Sequence, residues 1–261
     1  MQIIDDRRAL HQIPELDRSL PKTMAYLRGA LEGLNCKVFS PMESALCAWF
    51  DFGAKEAIAF RSDADALPIQ EHSRRPYAST HPGRMHACGH DIHTAILLGA
   101  AQLFKSMEDD LPCMVKLFFQ PAEETVGGAQ IMVESGCMQN PTVEHVLALH
   151  VDPTIPAGTA GFLPGRMNAA VINLNLTVRG TGCHGAHPEQ GVDPIVVSAQ
   201  LITALQTVCS RQTAPPTPVV VTIGAINGGT KRNIVAGEVT MQGTVRVLDM
   251  DTAALVKERI R

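Results

Sequence analysis

The sequence contains no run of basic residues and no long run of apolar residues. Nucleic-acid-binding surfaces concentrate lysine and arginine, so a formal net charge of −4 argues against that class of protein. No apolar stretch approaches the roughly 20 residues that a membrane-spanning helix needs, and the first residues lack a signal-peptide pattern. We therefore expect a cytoplasmic protein that acts without nucleic-acid or membrane partners.

Several catalytic and structural motifs are also missing. The seven cysteines are scattered and form no C-x-x-C pair, so reduced thiols fit better than a disulfide framework. There is no H-E-x-x-H and no G-x-S-x-G motif. One G-x-G-x-x-G match, Gly180–Gly185, is followed by Pro188 where a dinucleotide site would open a helix, so it does not indicate such a site.

The hydrophobic pattern changes near residue 165. Before that point, short apolar runs alternate with helical periodicity, which predicts a largely parallel sheet covered by helices. After it, the order strand, helix, strand, strand, helix predicts a βαββαβ unit without its last strand. We expect a first domain over residues 1–165 and a second, incomplete domain over 166–261. The main elements predicted in the first domain are the strands Leu46–Phe52, Ala57–Phe60, Met114–Phe119 and Val143–Val151 and a buried helix over Thr94–Met107.

A nine-residue segment, Met85–His93, contains one thiol, three imidazoles and a carboxylate. A thiolate and a neutral imidazole two residues apart, as at Cys88 and His90, are good ligands for zinc or a similar metal. Alone, the segment could also be a cluster of unrelated polar residues. Other ligand-bearing segments occur later in the chain, which favours a metal site assembled by folding.

Polar side chains follow three of the predicted strands directly. Asp63 and Asp65 follow one strand, Glu123 and Glu124 follow another, and His150 ends a third. Open α/β sheets bind ligands outside the carboxyl ends of their strands, so we expect these side chains to meet the cysteine–histidine segment there. The alternatives are a solvated turn for the two glutamates and an ordinary core histidine at the end of the third strand.

Seven short motifs stand in order along the chain: His11–Leu16, Arg61–Pro68, His86–Asp91, Gln120–Glu124, Leu149–His150, Cys183–Pro188 and Gly191–Ile195. Together they resemble the M20 metallopeptidase family, in its amidohydrolase branch of N-acyl-amino-acid, hippurate and auxin-conjugate hydrolases. The resemblance implies an α/β di-metal hydrolase domain with an inserted ferredoxin-like α+β lid domain. It also implies a homo-oligomer that assembles through the lid.

The resemblance assigns roles to residues of the first domain. Cys88, His90, Glu124 and His150 match ligands of two divalent metal ions, and Glu123 matches the general base. Zinc or manganese would suit these ligands, with cobalt or nickel as further candidates. The implied reaction is hydrolysis of a linear amide, that of an N-acyl amino acid, by a metal-activated water molecule.

Further roles concern the lid and the acidic pair. His184 matches a histidine that reaches into a neighbouring protomer's site and stabilises the oxyanion. Asn233 and Arg246 match residues that hold the substrate's free carboxylate, which an arginine fork suits; for the arginine, the solvent face of a strand is the alternative. We expect Asp63 and Asp65 to orient metal-bound imidazoles, with turn capping as the alternative.

The sequence does not fix the roles of two residues that neighbour the proposed ligands. Asp91 could cap the helix that follows it, and His93 could support a metal ligand.

The C-terminal end departs from the family pattern. Family members continue beyond the position of Arg261, complete the lid and supply one more metal-ligating histidine, which no residue here matches. Two interpretations follow: a C-terminally truncated N-acyl-amino-acid amidohydrolase, or a non-catalytic metal-binding or interaction remnant of such an enzyme. An aromatic content of 4% and the lack of a pocket motif leave the acyl and amino-acid groups open.

Overall fold

The computed structural model describes residues 2–53, 56–107, 110–111, 113–125 and 127–261. It contains two compact units, Met1–Ala157 and Gly158–Arg261. The division therefore falls at residue 157, whereas the change in hydrophobic pattern placed it near 165. No helix in the described part of the chain combines the length and apolar character that crossing a bilayer requires.

The first unit is an α/β fold built on a five-stranded sheet with the strand order β1-β2-β4-β3-β5. Its elements are α1 (Gln2–His11), α2 (Pro21–Leu31), β1 (Lys37–Phe39), β2 (Leu46–Phe50), β3 (Ala57–Asp63), α3 (His90–Ser106), β4 (Met114–Gln120), α4 (Gly128–Glu134) and β5 (Val143–Ala148). Strand β3 runs parallel to both β4 and β5, whereas β2 is antiparallel to β4 and β1 is antiparallel to β2. The predicted parallel arrangement is confirmed for the three strands whose ends carry the polar motifs.

Burial differs sharply between the strands of this sheet. All seven residues of β4 are buried, because the strand lies between two others and helices cover the sheet. Lys116 is the charged residue in this strand, and its Nζ donates to the carbonyl oxygens of Cys137 at 3.0 Å and Gln139 at 2.7 Å. In β5, at the edge of the sheet, Val143 is buried and the other residues are exposed. The edge strand is therefore held mainly by its pairing with β3.

The helix that carries the cysteine–histidine motif begins earlier than predicted. Apolar periodicity placed its start at Thr94, but α3 begins at His90, so His90 and His93 lie in its first turn. Gly89 precedes the helix with a φ of +85°, a conformation that side chains disfavour. A Cβ at this position would also lie 2.5 Å from Cγ2 of Val151. Glycine thus allows the start of α3 to approach the chain that leaves β5.

The second unit has the predicted order of strand, helix, strand, strand and helix. Its elements are β6 (Ala170–Arg179), α5 (Pro194–Arg211), β7 (Val219–Gly228), β8 (Glu238–Val247) and α6 (Met250–Ile260). The three strands form an antiparallel sheet with the order β6-β8-β7. One face of the sheet packs against Leu205 and Val208 of α5 and Ala253 and Val256 of α6, and the other face is exposed.

Candidate metal centre

Side chains from the ends of β3, β4 and β5 and from the start of α3 meet at one edge of the first sheet. Ligand atoms lie within 4.8 Å of one another in three groups: Cys88, His90 and His150; Asp63, His90 and His93; and His90, Glu123 and Glu124. His90 belongs to all three groups and forms their common centre. The structure therefore brings together the four predicted metal ligands and the predicted general base.

His90 presents one unpaired nitrogen to this cluster. Its Nδ1 lies 2.8 Å from the carbonyl oxygen of Asp65, which can only accept a hydrogen bond, so Nδ1 carries a proton. Its Nε2 is buried, has no hydrogen-bond partner among the described residues, and lies 3.8 Å from carboxylate oxygens of Asp63 and Glu124. Burial lowers the pKa of His90, but the nearby Asp65 and Asp63 outweigh it and raise that pKa above its usual value. The surroundings of Nε2 therefore favour a positive charge, which a proton or a metal ion can supply.

Cys88 and His150 form the opposite side of the cluster. The Nδ1 of His150 donates to the carbonyl oxygen of Val151 at 2.7 Å, which leaves Nε2 directed at Cys88 Sγ, 3.4 Å away. Burial, followed by the carboxylate of Glu124, raises the pKa of the Cys88 thiol to about 12. Without a cation the sulfur is therefore protonated, and a bound metal would favour the thiolate that ligates it.

Asp65 connects the turn that bears the two glutamates to α3. Its two carboxylate oxygens accept hydrogen bonds from the backbone N–H groups of Glu123 at 3.1 Å and Glu124 at 3.2 Å. Its carbonyl oxygen accepts the bond from His90. The sequence left two roles open for Asp65, and the residue fills both. Its carbonyl oxygen orients the imidazole of His90, and its carboxylate fixes the turn that bears the glutamates. In the same turn, Ala122 is fully buried and has a φ of +52°, so the backbone here is strained.

Asp63 contacts His93 rather than capping a turn. The Nδ1 of His93 lies 2.6 Å from one carboxylate oxygen of Asp63, and Nη1 of Arg61 lies 2.8 Å from the other. Burial would raise the pKa of Asp63, but the bond from His93 and the charges of His90 and Arg61 lower it to about 2. Asp63 is therefore a carboxylate at neutral pH, and it accepts a hydrogen bond from the N–H group at Nδ1 of His93.

A second buried polar cluster lies behind the first turn of α3, and the sequence assigned it no role. The Asp91 carboxylate accepts a hydrogen bond from His11 Nδ1 at 2.7 Å and forms an ion pair with Nε of Arg7, 2.8 Å away, while His11 Nε2 lies 3.4 Å from Glu71. Capping of α3, the possibility that the sequence left open for Asp91, is not observed, because the helix has no side-chain cap bond and the carboxylate contacts His11 and Arg7 of α1. The sequence feature that could have indicated this cluster is the motif His11–Leu16, which contains one of its members.

The predicted substrate-binding residues of the second unit do not all lie together. The backbone N–H of Gly185 donates to the carbonyl oxygen of Asn233 at 2.8 Å, so the exposed His184 and Asn233 lie on adjoining segments. Asn233 precedes β8, whereas Arg246 stands next to the last residue of this ten-residue strand. Ten extended residues span on the order of 30 Å, so one protomer cannot offer Asn233 and Arg246 to the same carboxylate. Arg246 is exposed and pairs in register with Val171 and Val220.

A model of the peptidase family M20/M25/M40 matches residues 59–260. The chain belongs to this family. It is 42% identical to the N-acetyl-L-cysteine deacetylase of Bacillus subtilis over 99% of this chain and 62% of that protein. It is 38% identical to the N-acetyldiaminopimelate deacetylase of Halalkalibacterium halodurans over 99% of this chain and 70% of that protein.

A solved structure extends the likeness to the fold. The crystal structure of the Bacillus subtilis protein YXEP, described as a dinuclear metal binding peptidase from the M20 family, superimposes with a TM-score of 0.83. Its sequence is 32% identical, and the match covers 99% of this chain and 67% of that one. The family resemblance inferred from the motifs is thus confirmed. The chain spans about two thirds of the length of these relatives.

The charge around Cys88 generates a testable prediction. In metal-free protein, Glu124→Gln removes one of the negative charges that raise the Cys88 pKa, so this pKa should fall. At any pH below the wild-type pKa, a larger fraction of Cys88 is then thiolate, and iodoacetamide should alkylate it faster. The measurement is the pH dependence of alkylation at Cys88, followed by peptide mass spectrometry in the presence of chelator.

Glu144→Gln is the matched control, because Glu144 is an exposed glutamate on β5 outside the cluster. This control should alkylate at Cys88 with the wild-type pH profile. If Glu124→Gln also keeps the wild-type profile, the charge coupling between Glu124 and Cys88 is refuted.

Proposed function

We propose that this protein is a metal-dependent amidohydrolase that cleaves the amide bond of N-acyl amino acids. The observation that carries the proposal is the convergence of Cys88, Glu124 and His150 on the unpaired Nε2 of His90, with Glu123 beside them. The names of two relatives, N-acetyl-L-cysteine deacetylase and N-acetyldiaminopimelate deacetylase, support an acylated amino acid as the substrate class.

The donor set supports divalent metal ions as the cofactor. We propose Cys88, His90, Glu124 and His150 as ligands, since one sulfur, two imidazole nitrogens and a carboxylate suit zinc, while manganese, cobalt and nickel remain compatible. The description of the YXEP protein as dinuclear supports two ions. When bound, the metal would polarise the scissile carbonyl and make the attacking water more acidic.

Glu123 is the proposed general base. Asp65 holds the backbone N–H groups of both glutamates, so the two adjacent carboxylates project from a fixed turn and can serve different roles. Glu124 would bind metal, while Glu123 would accept a proton from the attacking water. Glu123 would then deliver that proton to the nitrogen of the leaving amine as the C–N bond breaks. The products are a carboxylic acid and a free amino acid.

The second unit is proposed to act as a ferredoxin-like lid through which protomers associate. His184 and Asn233 lie on adjoining exposed segments, so one protomer can offer them together to the substrate bound by another. Exposed apolar side chains near this end of the sheet, those of Val192, Ile195 and Ile234, are suited to contact between protomers. Arg246, at the opposite end of β8, would then contact substrate from a different protomer than Asn233 does.

A reducing compartment fits the chemistry of the site. All seven cysteines are free, and Cys88 can ligate metal only as an unoxidised thiolate. We therefore propose that the protein works in the cytoplasm.

The general-base role predicts a specific kinetic result. Glu123→Gln keeps the size of the side chain but removes its basic carboxylate, so metal content should be unchanged while kcat falls by ~10²–10⁴-fold. The measurements are metal content by mass spectrometry and turnover of N-acetyl amino acids by the purified protein.

Glu124→Gln is the control for this test, and it should lose bound metal as well as activity. Near-normal turnover by Glu123→Gln would eliminate the assigned base. A wild-type protein that binds metal tightly but hydrolyses no N-acyl amino acid would favour the non-catalytic metal-binding interpretation instead.

The separation of Asn233 and Arg246 allows their roles to be tested independently. If Arg246 binds the free carboxylate, Arg246→Lys should lower kcat/KM for N-acetyl amino acids far more than for their carboxamides, because the two-pronged contact is lost. Asn233→Ala should show the same selectivity only if Asn233 also contacts the carboxylate. Equal losses on both substrate types would show that the substituted residue does not recognise the carboxylate.

A further inference from the structure

His150 occupies an unusual place for a proposed ligand, because little packing surrounds it. It follows β5, whose residues after Val143 are exposed, and His150 is itself exposed. Leu147 and Leu149, its apolar neighbours in sequence, are 47% and 49% exposed. The hydrophobic core therefore does not fix the position of this imidazole, and specific polar contacts have to do so.

A continuous series of hydrogen bonds runs from the end of β3 to His150. The Asp63 carboxylate accepts from His93 Nδ1 at 2.6 Å, and His93 Nε2 accepts from the backbone N–H of Val151 at 2.9 Å. The carbonyl oxygen of Val151 accepts from His150 Nδ1 at 2.7 Å. The last atom in the series, His150 Nε2, faces Cys88. Both polar groups of Val151 are thus used to hold the imidazole.

The two ends of this series differ in how deeply they are buried. Asp63 is 1% exposed, and Arg61 donates to it at 2.8 Å while also donating to Gln120 of β4 at 2.8 Å. Thr94 of α3 donates its hydroxyl to the Asp63 carbonyl oxygen at 2.8 Å. The series therefore begins on two buried strands and a helix, and it ends at an exposed loop.

Packing reinforces the same contact. The rings of His93 and His150 have centroids 4.5 Å apart and planes inclined at 63°. Val151 fills the space that a side chain on Gly89 would need. Both contacts hold the Val151 segment against the first turn of α3.

We propose that His93 is a positioning residue, which fixes His150 through the peptide of Val151 and is not itself a metal ligand. The inference rests on the proposed function, in which His150 binds metal. A ring nitrogen of His93 lies within 4.8 Å of possible ligand atoms of Asp63 and His90, as that of a metal ligand would. Its two ring nitrogens are nevertheless committed, Nδ1 to a carboxylate and Nε2 to a backbone N–H, so a metal on Nε2 would displace the bond that holds the loop.

The test is cobalt(II) binding to the purified protein, followed through the thiolate-to-cobalt absorption band in the near ultraviolet. His93→Asn keeps a donor for Asp63 but has no acceptor at the position of Nε2. His93→Gln can place its side-chain oxygen near that position and accept from Val151. His150→Ala defines the loss of the ligand itself, and His145→Asn is the matched control for an exposed histidine on β5.

The expected loss of cobalt affinity is roughly 10–100-fold for His93→Asn, with a smaller loss for His93→Gln and none for His145→Asn. In the His150→Ala background, His93→Asn should cause no further loss, because the two residues act through one contact. Circular dichroism identifies any variant that fails to fold, and His93→Gln then carries the comparison.

Three outcomes overturn the inference. In the first, His93→Asn binds cobalt as tightly as His145→Asn does, although His150→Ala binds it weakly. In the second, the loss of affinity caused by His93→Asn adds fully to the loss caused by His150→Ala. Both results exclude action through His150 while leaving His150 a ligand. If His150→Ala itself binds cobalt as wild type does, the ligand assignment in the proposed function fails, and the inference fails with it.

Discussion

The candidate site depends on one buried nitrogen. His90 Nε2 has no hydrogen-bond partner among the described residues, and carboxylate oxygens of Asp63 and Glu124 lie 3.8 Å from it. An unpaired polar atom in the protein interior costs free energy unless a partner is supplied. Burial, together with the same acidic surroundings, raises the pKa of the Cys88 thiol to about 12. One bound cation would satisfy the nitrogen, stabilise the thiolate and neutralise the carboxylates.

The fold delivers these groups to one place through its parallel strands. The carboxyl ends of β3, β4 and β5 lie at the same edge of the sheet, and each strand ends in a polar residue of the cluster or is followed closely by one. Hydrogen bonds to two further residues position the segments that carry the ligands. Asp65 holds the turn of Glu123 and Glu124, and His93 holds the segment after β5. The proposed ligands thus lie where strands end and a helix begins. Cys88, Glu124 and His150 stand outside helices and strands, and the last two depend on such hydrogen bonds for their positions.

The sequence predicted the convergence because polar residues that end neighbouring parallel strands must meet, whatever the details of the packing. It placed the start of α3 four residues too late, since apolar periodicity reports only apolar residues, and the first turn of this helix is buried but polar. The role of Asp91 was left open by the sequence because its partners, His11 and Arg7, are about 80 residues away in the chain. The distance between Asn233 and Arg246 likewise depends on where β8 begins and ends, which short motifs do not specify.

The most direct test of the metal centre is X-ray absorption at the metal edge of zinc-loaded protein. The account predicts nitrogen and oxygen neighbours at roughly 2.0–2.2 Å together with a sulfur contribution at about 2.3 Å. Cys88→Ser should remove the sulfur contribution, while Cys183→Ser, in the second unit, should leave it intact. A metal without sulfur neighbours, or a sulfur contribution that survives in Cys88→Ser, would contradict the account.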